Sequence, residues 1–206
     1  SNFSGTSINV KGNWSNGYLN INDSYFIADN MNTQIIYSNG KLNSFETSLL
    51  RFEDISLESR GSKFQGNLSL ENFKQPKCKA DIKFDSQWMD LMHWLEYKTW
   101  EGSKGKLFGE IYWNNDFKNI DELKKKVFWG GKWKGNLLIP KAELEIEGAN
   151  QTTQLSNFNI EFDDYNLNII SGVIQTQNSK AKVNGVIKNV LNDFDESYEL
   201  QITGDE

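Results

Sequence analysis

Apolar and polar residues alternate with a period of two along most of the chain, and this is the pattern of strands that bury one face. Residues 63–71 show it clearly, because Phe64, Leu68 and Leu70 alternate with polar or charged residues. Residues 141–147 repeat the pattern, again with apolar residues at the even positions. Short segments of this kind, separated by turns, predict a mainly β, antiparallel architecture.

Turns are predicted where Gly, Asn, Asp and Ser cluster between the alternating segments. These positions are Asn16-Gly17, 38–40, 60–62, 148–150 and 163–164. The glycines at 102, 105 and 109 predict a flexible connector that leads into a strand over residues 107–113.

Two segments have helical periodicity instead. Over about 86–97, apolar residues recur at positions 88, 91, 92 and 95, which lie on one face of a helix. Asp85 or Ser86 is the expected N-cap. Over about 119–128, apolar residues at 120, 123 and 127 share a face, with acidic residues in the first turn and lysines in the last. Two short helices are therefore predicted.

An internal duplication is the strongest signal of organisation. The segment 12–21 reappears at 131–139, and both copies later reach a second Gly-rich phrase. The interval from Gly17 to Gly66 is 49 residues, and that from Gly135 to Gly185 is 50. We therefore predict a single β domain over residues 1–206, made of two repeats of about 118 residues (about 12–118 and 131–206). The second copy stops where the first would begin its helix, so we expect the chain to be part of a longer repeat protein.

A sheet with one apolar face must cover that face. A second sheet gives a sandwich, whereas a curved sheet gives an open groove (a half-pipe), and periodicity does not separate the two. In the groove interpretation the inward apolar side chains form a continuous track that holds acyl chains. The candidate groove residues are Leu19, Ile21, Ile55, Leu57, Phe64, Leu68, Leu70, Ile82, Phe84, Leu137, Ile139, Leu144, Ile146, Ile160, Phe162, Leu167, Ile169, Val183 and Ile187.

Composition and charge narrow the classes of function. The net charge of -6 and the pI near 5.0 argue against nucleic acid as a partner, because phosphate neutralisation needs a basic face. The single cysteine, Cys78, follows a strand rhythm and is interpreted as a buried apolar residue.

No catalytic or metal-binding constellation is evident. His93 is the only histidine and has no Ser or Cys motif around it. The glutamates at 143, 145 and 147 alternate with apolar residues and are interpreted as a solvated face. The run Lys124 to Lys126 is interpreted as a helix C-terminus rather than a membrane patch. The prediction is a protein that is not an enzyme, with no catalytic residues, no metal and no cofactor.

The seven tryptophans leave alternatives open. Trp14 and Trp133 are equivalent in the two repeats, which favours a structural role. Trp88, Trp94 and Trp100 gather around the first predicted helix, where they are expected to pack over the sheet edge, to cap a groove or to lie at a membrane interface.

Four features of the sequence carry a resemblance to a known family. They are the strand start at 135–139, the segment 155–160, the closing phrase at 185–189 and the strand-then-helix step at 81–91. In these features the chain resembles the periplasmic region of the AsmA-like proteins, a group related to TamB-type proteins with a repeating β-groove. The resemblance spans most of residues 12–194 and is one of glycines, alternation and turns.

The resemblance implies a non-enzymatic section of a lipid-transfer groove, involved in phospholipid transport or outer-membrane homeostasis. It implies a periplasmic or cell-envelope location in a double-membrane bacterium, with an anchor outside this sequence. The implied partners are a phospholipid or another acyl-chain lipid, together with membrane or envelope proteins. The rival hypothesis is a cell-surface β-sandwich that binds carbohydrate through exposed Trp residues such as Trp94, Trp100 or Trp113.

Overall fold

A computed structural model describes residues 7–20, 27–90, 103–126, 131–145, 152–164, 166–188 and 197–205. Within them, eleven strands form one antiparallel sheet in which each strand pairs with its neighbours in the sequence. The strands are β1 (Asn9–Asn20), β2 (Ile27–Ser38), β3 (Leu49–Ser59), β4 (Ser62–Glu71), β5 (Lys77–Gln87), β6 (Lys104–Asp116), β7 (Lys132–Glu145), β8 (Thr152–Asp163), β9 (Asn166–Gln175), β10 (Lys180–Lys188) and β11 (Ser197–Asp205).

The sheet is open, with β1 and β11 at its two edges. The predicted mainly β, antiparallel architecture is therefore confirmed. All the described strands belong to the same sheet, so they do not form the sandwich that the sequence left as an alternative.

β-Bulges bend the sheet at mid-strand. Asn16, Asn30, Asp54 and Asn157 have φ values of 52° to 53°, and each lies at a shift of the strand register. Asn and Asp tolerate this left-handed conformation better than most residues. An inserted residue increases the local twist and bends the strand, so these positions curve the sheet.

The prediction of a turn at Asn16-Gly17 is wrong. β1 continues through these residues from Asn9 to Asn20, and the left-handed Asn16 makes a bulge against β2. An Asn-Gly pair serves a bulge as well as a turn because both need a positive φ. By contrast, the turn predicted at 60–62 is present as a tight hairpin, in which Arg60 and Gly61 both have positive φ.

Bulges have a regular distribution along the chain. Register shifts interrupt the first three strands, β1 to β3, and again β7 to β9. The pairings of β4 with β5 and of β10 with β11 have none. Four glycines mark the predicted repeats: Gly17 on β1, Gly66 on β4, Gly135 on β7 and Gly185 on β10. All four lie on the same face of the sheet. The pairings of β5 with β6 and of β7 with β8 also have no register shift, and the two-repeat organisation stays a prediction.

The second predicted helix forms α1, Ile120–Lys126. Asn119 caps its start, because its Oδ1 accepts hydrogen bonds from the amides of Asp121 (3.1 Å) and Glu122 (2.9 Å). Residues 127–128 of the prediction lie outside the described residues.

The first predicted helix begins later than expected. β5 extends to Gln87, with Ser86 paired to Leu107 of β6, so neither Asp85 nor Ser86 is the cap. Residues 88–90 are helical, and the rest of that prediction lies outside the described residues. The predicted flexible connector is wrong at Gly105, which belongs to β6, whereas the strand predicted over residues 107–113 lies within β6.

Candidate functional site

One face of the sheet is apolar across all eleven strands. The cross-strand pairs carry this face from Leu57 and Phe64 of β3 and β4 to Phe84 of β5. Further along the sheet, Leu137 pairs with Ile160 across β7 and β8. Because directly opposed residues point to the same side of a sheet, these pairs define a continuous surface, which we call the apolar face.

The candidate groove residues that the structure describes all lie on strands whose register places them on this face. They are Leu19, Ile55, Leu57, Phe64, Leu68, Leu70, Ile82, Phe84, Leu137, Ile139, Leu144, Ile160, Phe162, Leu167, Ile169, Val183 and Ile187. For Leu19 only the backbone position is described, and Ile21 and Ile146 lie outside the described residues. The role of the candidate groove residues as lipid contacts stays a prediction.

Sequence reasoning missed several members of the face. They are Trp14, Met31, Phe52, Leu107, Trp113, Leu155, Phe158 and Ile174, among others. Bulges explain many of these omissions. A bulge makes two residues of the same face three positions apart, as for Leu155 and Phe158 on either side of Asn157, so strict alternation loses the face there.

At one end of the strands, the apolar face is covered by residues 88–90, which follow β5. Trp88 is buried and packs in a cluster with Leu107, Ile139 and Phe158. The covering segment is tied to the sheet by polar contacts, because the Ser62 hydroxyl donates to Asp90 Oδ2 at 2.7 Å. Of the cap aromatics predicted from the sequence, Trp88 thus packs against the sheet.

At the opposite end, the segment around α1 covers the face. Phe117 is buried beside Trp113 with ring centroids 6.4 Å apart, and Leu123 of α1 packs against the same cluster. Trp133 stacks obliquely on Trp113 at 5.8 Å. The face is therefore covered at both ends of β6 and its neighbours.

Between the covers the face is partly open to solvent. Leu68 on β4 is 37% exposed, and its neighbours Ile55, Ile82 and Ile111 are half-buried. At the β1 edge, Val10 is 55% exposed. The apolar face therefore presents accessible apolar surface at its centre and along its β1 margin.

Glycines make room for aromatic rings on this face. A Cβ at Gly109 would meet the ring of Phe84 on the neighbouring strand, and one at Gly172 would meet the ring of Phe158. Gly135 has the same relation to Phe162. The absence of a Cβ at these glycines therefore leaves room for the three rings on the apolar face.

Polar groups on the apolar face are largely satisfied within the protein. The Thr33 hydroxyl donates to the Glu53 carbonyl at 3.0 Å, and the Ser62 and Ser86 hydroxyls lie 2.9 Å apart. The buried Ser59 hydroxyl has no partner. In the described strands, the cross-strand register places no charged side chain on this face.

Cys78 also lies on the apolar face and is buried. Burial, together with the charge of Asp116, raises the pKa of the Cys78 thiol to about 11. A thiol with this pKa stays protonated at neutral pH, and the thiolate is the reactive form. The interpretation of Cys78 as a packing residue therefore agrees with its surroundings.

The opposite face is polar and carries cross-strand ion pairs. Lys83 lies 3.1 Å from Glu110, and Lys134 lies 3.0 Å from Asp163. A shallow depression on this face crosses β3 to β6 and includes Tyr112. The side chains of this face meet solvent, so it is a solvated surface. Exposed ion pairs of this type contribute little to stability.

The described residues give little support for a metal site or for a carbohydrate-binding surface. Among the described residues, no group of three or more His, Cys, Asp or Glu side chains is placed to hold a metal ion. His93, Trp94 and Trp100 lie outside the described residues. Trp113 is only 8% exposed, so it does not form the flat exposed platform that sugar stacking needs.

No protein-family model, curated protein or solved structure matches the chain in comparisons with known proteins. In the described part of the chain, no helix has the length and apolar character needed to cross a membrane.

Proposed function

We propose that the chain is a non-enzymatic section of a lipid-binding groove, and that the apolar face holds acyl chains. One observation carries this proposal: a single open sheet keeps one face apolar over all eleven strands and leaves the middle of that face accessible. Soluble monomers rarely expose large contiguous apolar patches unless these bind something.

Transfer free energy is the physical basis of the proposed binding. Removing one CH₂ group from water contributes about 0.8 kcal/mol, so an acyl chain gains affinity from each methylene that lies on the face. With charged side chains absent from the face on the described strands, recognition of the chain is apolar and the polar end of the lipid stays in solvent.

The wider role follows from the resemblance to AsmA-like proteins and is part of the same proposal. A groove section of this kind moves or balances phospholipids in the envelope of a double-membrane bacterium. Successive strands offer similar apolar surroundings, so a chain can shift along the sheet without crossing a charged barrier.

The experiment that tests the proposal measures lipid uptake. Protein purified from bacterial cells is examined by native mass spectrometry for co-purified phospholipid, and then titrated with a fluorescent fatty acid. Leu68→Asp places a charge on the open part of the apolar face, so we expect at least tenfold weaker binding. Asn67→Asp introduces the same charge on the adjacent residue, which faces the other side of the sheet, and serves as the matched control.

Two results would contradict the proposal. One is wild-type protein that contains no lipid and takes up none. The other is a Leu68→Asp protein that retains its circular dichroism spectrum and binds the fatty acid as tightly as Asn67→Asp does.

A further inference from the structure

The loop that joins β2 to β3, residues 39–48, presents the most exposed large apolar side chains of the described chain. Leu42 is 75% exposed and Phe45 is 71% exposed. Both lie in the loop that follows Ser38 and precedes Leu49, at the end of the sheet. Neither side chain contributes to a core, so their exposure calls for an explanation outside the folding of the sheet.

This loop is held in place by hydrogen bonds. Two hydrogen bonds join Asn39 to Ile8. The Ile8 amide donates to Asn39 Oδ1 at 2.7 Å, and the Asn39 amide donates to the Ile8 carbonyl at 3.1 Å. The Thr47 hydroxyl donates to the Asn39 carbonyl at 2.9 Å, and the Ser48 hydroxyl donates to the Ser44 carbonyl at 2.9 Å. These contacts fix both ends of the loop.

The loop is also joined to the next turn on the same end of the sheet. The Asn72 amide donates to the Ser48 carbonyl at 2.9 Å, and Lys74 Nζ lies 2.7 Å from Glu46 Oε1. A loop with this many polar anchors keeps its apolar side chains pointing outward, and it does not fold them back when they meet water.

The size of the exposed surface indicates what it contacts. Leu42 and Phe45 together present on the order of 250 Å² of surface. A stable protein–protein interface buries roughly 800 Å² on each partner, so these two side chains alone are too small for one. It is sufficient for shallow insertion between lipid headgroups, which requires only a few apolar side chains on a firm support.

We propose that the 39–48 loop docks the protein on the surface of a lipid bilayer, by inserting Leu42 and Phe45 among the headgroups. Docking is a separate interaction from acyl-chain binding by the apolar face. It rests on that proposed function, because docking would bring the protein to its lipid. Tyr37 and Leu50, which pair across β2 and β3 beside the loop, belong to the apolar face. Docking at this end therefore brings the bilayer next to that face.

Charge near the tip is close to balanced. Lys41 precedes Leu42 and is exposed, whereas the charge of Lys74 is offset by Glu46. A basic residue near an anionic membrane surface adds a modest attraction. We therefore expect binding to neutral phosphatidylcholine vesicles, with no more than about a fivefold increase when part of the lipid is phosphatidylglycerol.

The test is co-sedimentation of the protein with large unilamellar vesicles of phosphatidylcholine, with and without phosphatidylglycerol. The double variant L42S/F45S is expected to bind at least about tenfold more weakly, since each inserted apolar side chain contributes a factor of about three to ten at an interface. The matched control is L138S/I170S. These two residues are also exposed and apolar, each 45% exposed, but lie on β7 and β9 away from the loop.

A second readout follows the loop itself. Leu42→Cys is labelled with an environment-sensitive fluorophore, and Ile170→Cys is labelled as the control. Cys78 is buried with a raised pKa, so the label goes to the introduced thiol. Vesicles should shift the emission of the label at position 42 to shorter wavelength and leave that at position 170 unchanged.

Equal vesicle binding by wild type and L42S/F45S would overturn the docking proposal, as would an unshifted label at position 42. The failure of docking is distinguishable from failure of the lipid groove. Uptake of a monomeric fluorescent fatty acid, which needs no membrane, should be the same in wild type and L42S/F45S. If the wild type takes up no fatty acid, the proposed acyl-chain binding is contradicted, and the vesicle result alone decides the docking proposal.

Discussion

The centre and the edge of the sheet are built from the same kind of alternating sequence, yet their apolar residues have different surroundings. Leu107 and Ile139, on the central strands β6 and β7, are 0% and 3% exposed, whereas Val10 on the edge strand β1 is 55% exposed. Central strands have neighbours on both sides and side chains from a covering segment above them. The neighbours of a strand and the segments that cover it therefore decide together whether its apolar residues stabilise the fold or are available to a ligand, since Leu107 of β6 lies under Trp88 whereas Ile111 of the same strand is half-buried.

The largest expected effect comes from truncating the centre. Leu107→Ala should lower the free energy of unfolding by about 2–5 kcal/mol, because it leaves a cavity among Trp88, Ile139 and Phe158. Val10→Ala at the edge should cost less than about 0.5 kcal/mol. Urea unfolding followed by circular dichroism measures both. Similar losses for the two variants would remove the distinction between centre and edge.

Adding side-chain volume should separate the two regions in the same way. Gly109→Val forces a side chain against Phe84 and the Asn136 carbonyl, so we expect a loss of about 1–3 kcal/mol. Gly12→Val on β1 meets no atom within 4 Å of the new Cβ, and should be neutral or slightly stabilising. Thermal unfolding of the two variants is the measurement, and a tolerated Gly109→Val would show that the ring of Phe84 does not depend on the glycine.

Bulges offer a comparison that is independent of cavities. Asn157→Val in β8 places a β-branched residue at a φ of 53°, which should cost about 1–2 kcal/mol. Asn157→Gly keeps the backbone conformation and should restore most of that loss. Asn16→Val, in the β1 bulge at the edge, is expected to cost less because fraying of an edge strand relieves the strain. Equal costs at the two bulges would contradict the picture of a looser edge.

The smallest expected effect concerns the ion pair that supports the exposed loop. Hydrogen bonds lower the pKa of Glu46 from 4.5 to about 2, with Lys74 the largest cause, followed by the backbone amide of Glu46 and the side chain of Ser44. Because the folded-state pKa is lowered, the stabilising contribution is present above about pH 4.5 and disappears as the pH falls towards 2. Lys74→Ala should raise the pKa of Glu46 towards 4.5, measured by nuclear magnetic resonance titration of its carboxyl group. A pKa that stays near 2 in the variant would show that Lys74 is not the cause.

Much of the fold is readable from the sequence because hydrophobic alternation maps directly onto a one-sided sheet. Segments without bulges were predicted well, as in Phe64 to Leu70 of β4, where strict alternation holds from end to end. The hairpin at Arg60 and Gly61 was also predicted, because Gly61 suits one of its two positive φ values, although Arg60 is not a residue type that favours the other.

Sequence reasoning failed where the backbone departs from regular geometry. Asn16 was interpreted as part of a turn because the same residue type serves turns and bulges. Leu155 and Phe158 were separated by the extra residue Asn157, so their common face was hidden. The start of the first helix was misplaced because Ser86 is a good cap in isolation, whereas strand pairing with Leu107 determines its actual conformation.

Photo-crosslinking tests the central claim, acyl-chain binding on the apolar face, most directly. A fatty acid with a diazirine near its methyl end is bound, irradiated and mapped by peptide mass spectrometry. The account predicts that labels fall on open apolar-face residues such as Leu68, Ile82 and Ile111, and that excess unlabelled fatty acid competes them away. Saturable labelling confined to polar-face residues such as Tyr112, or no saturable labelling at all, would contradict it.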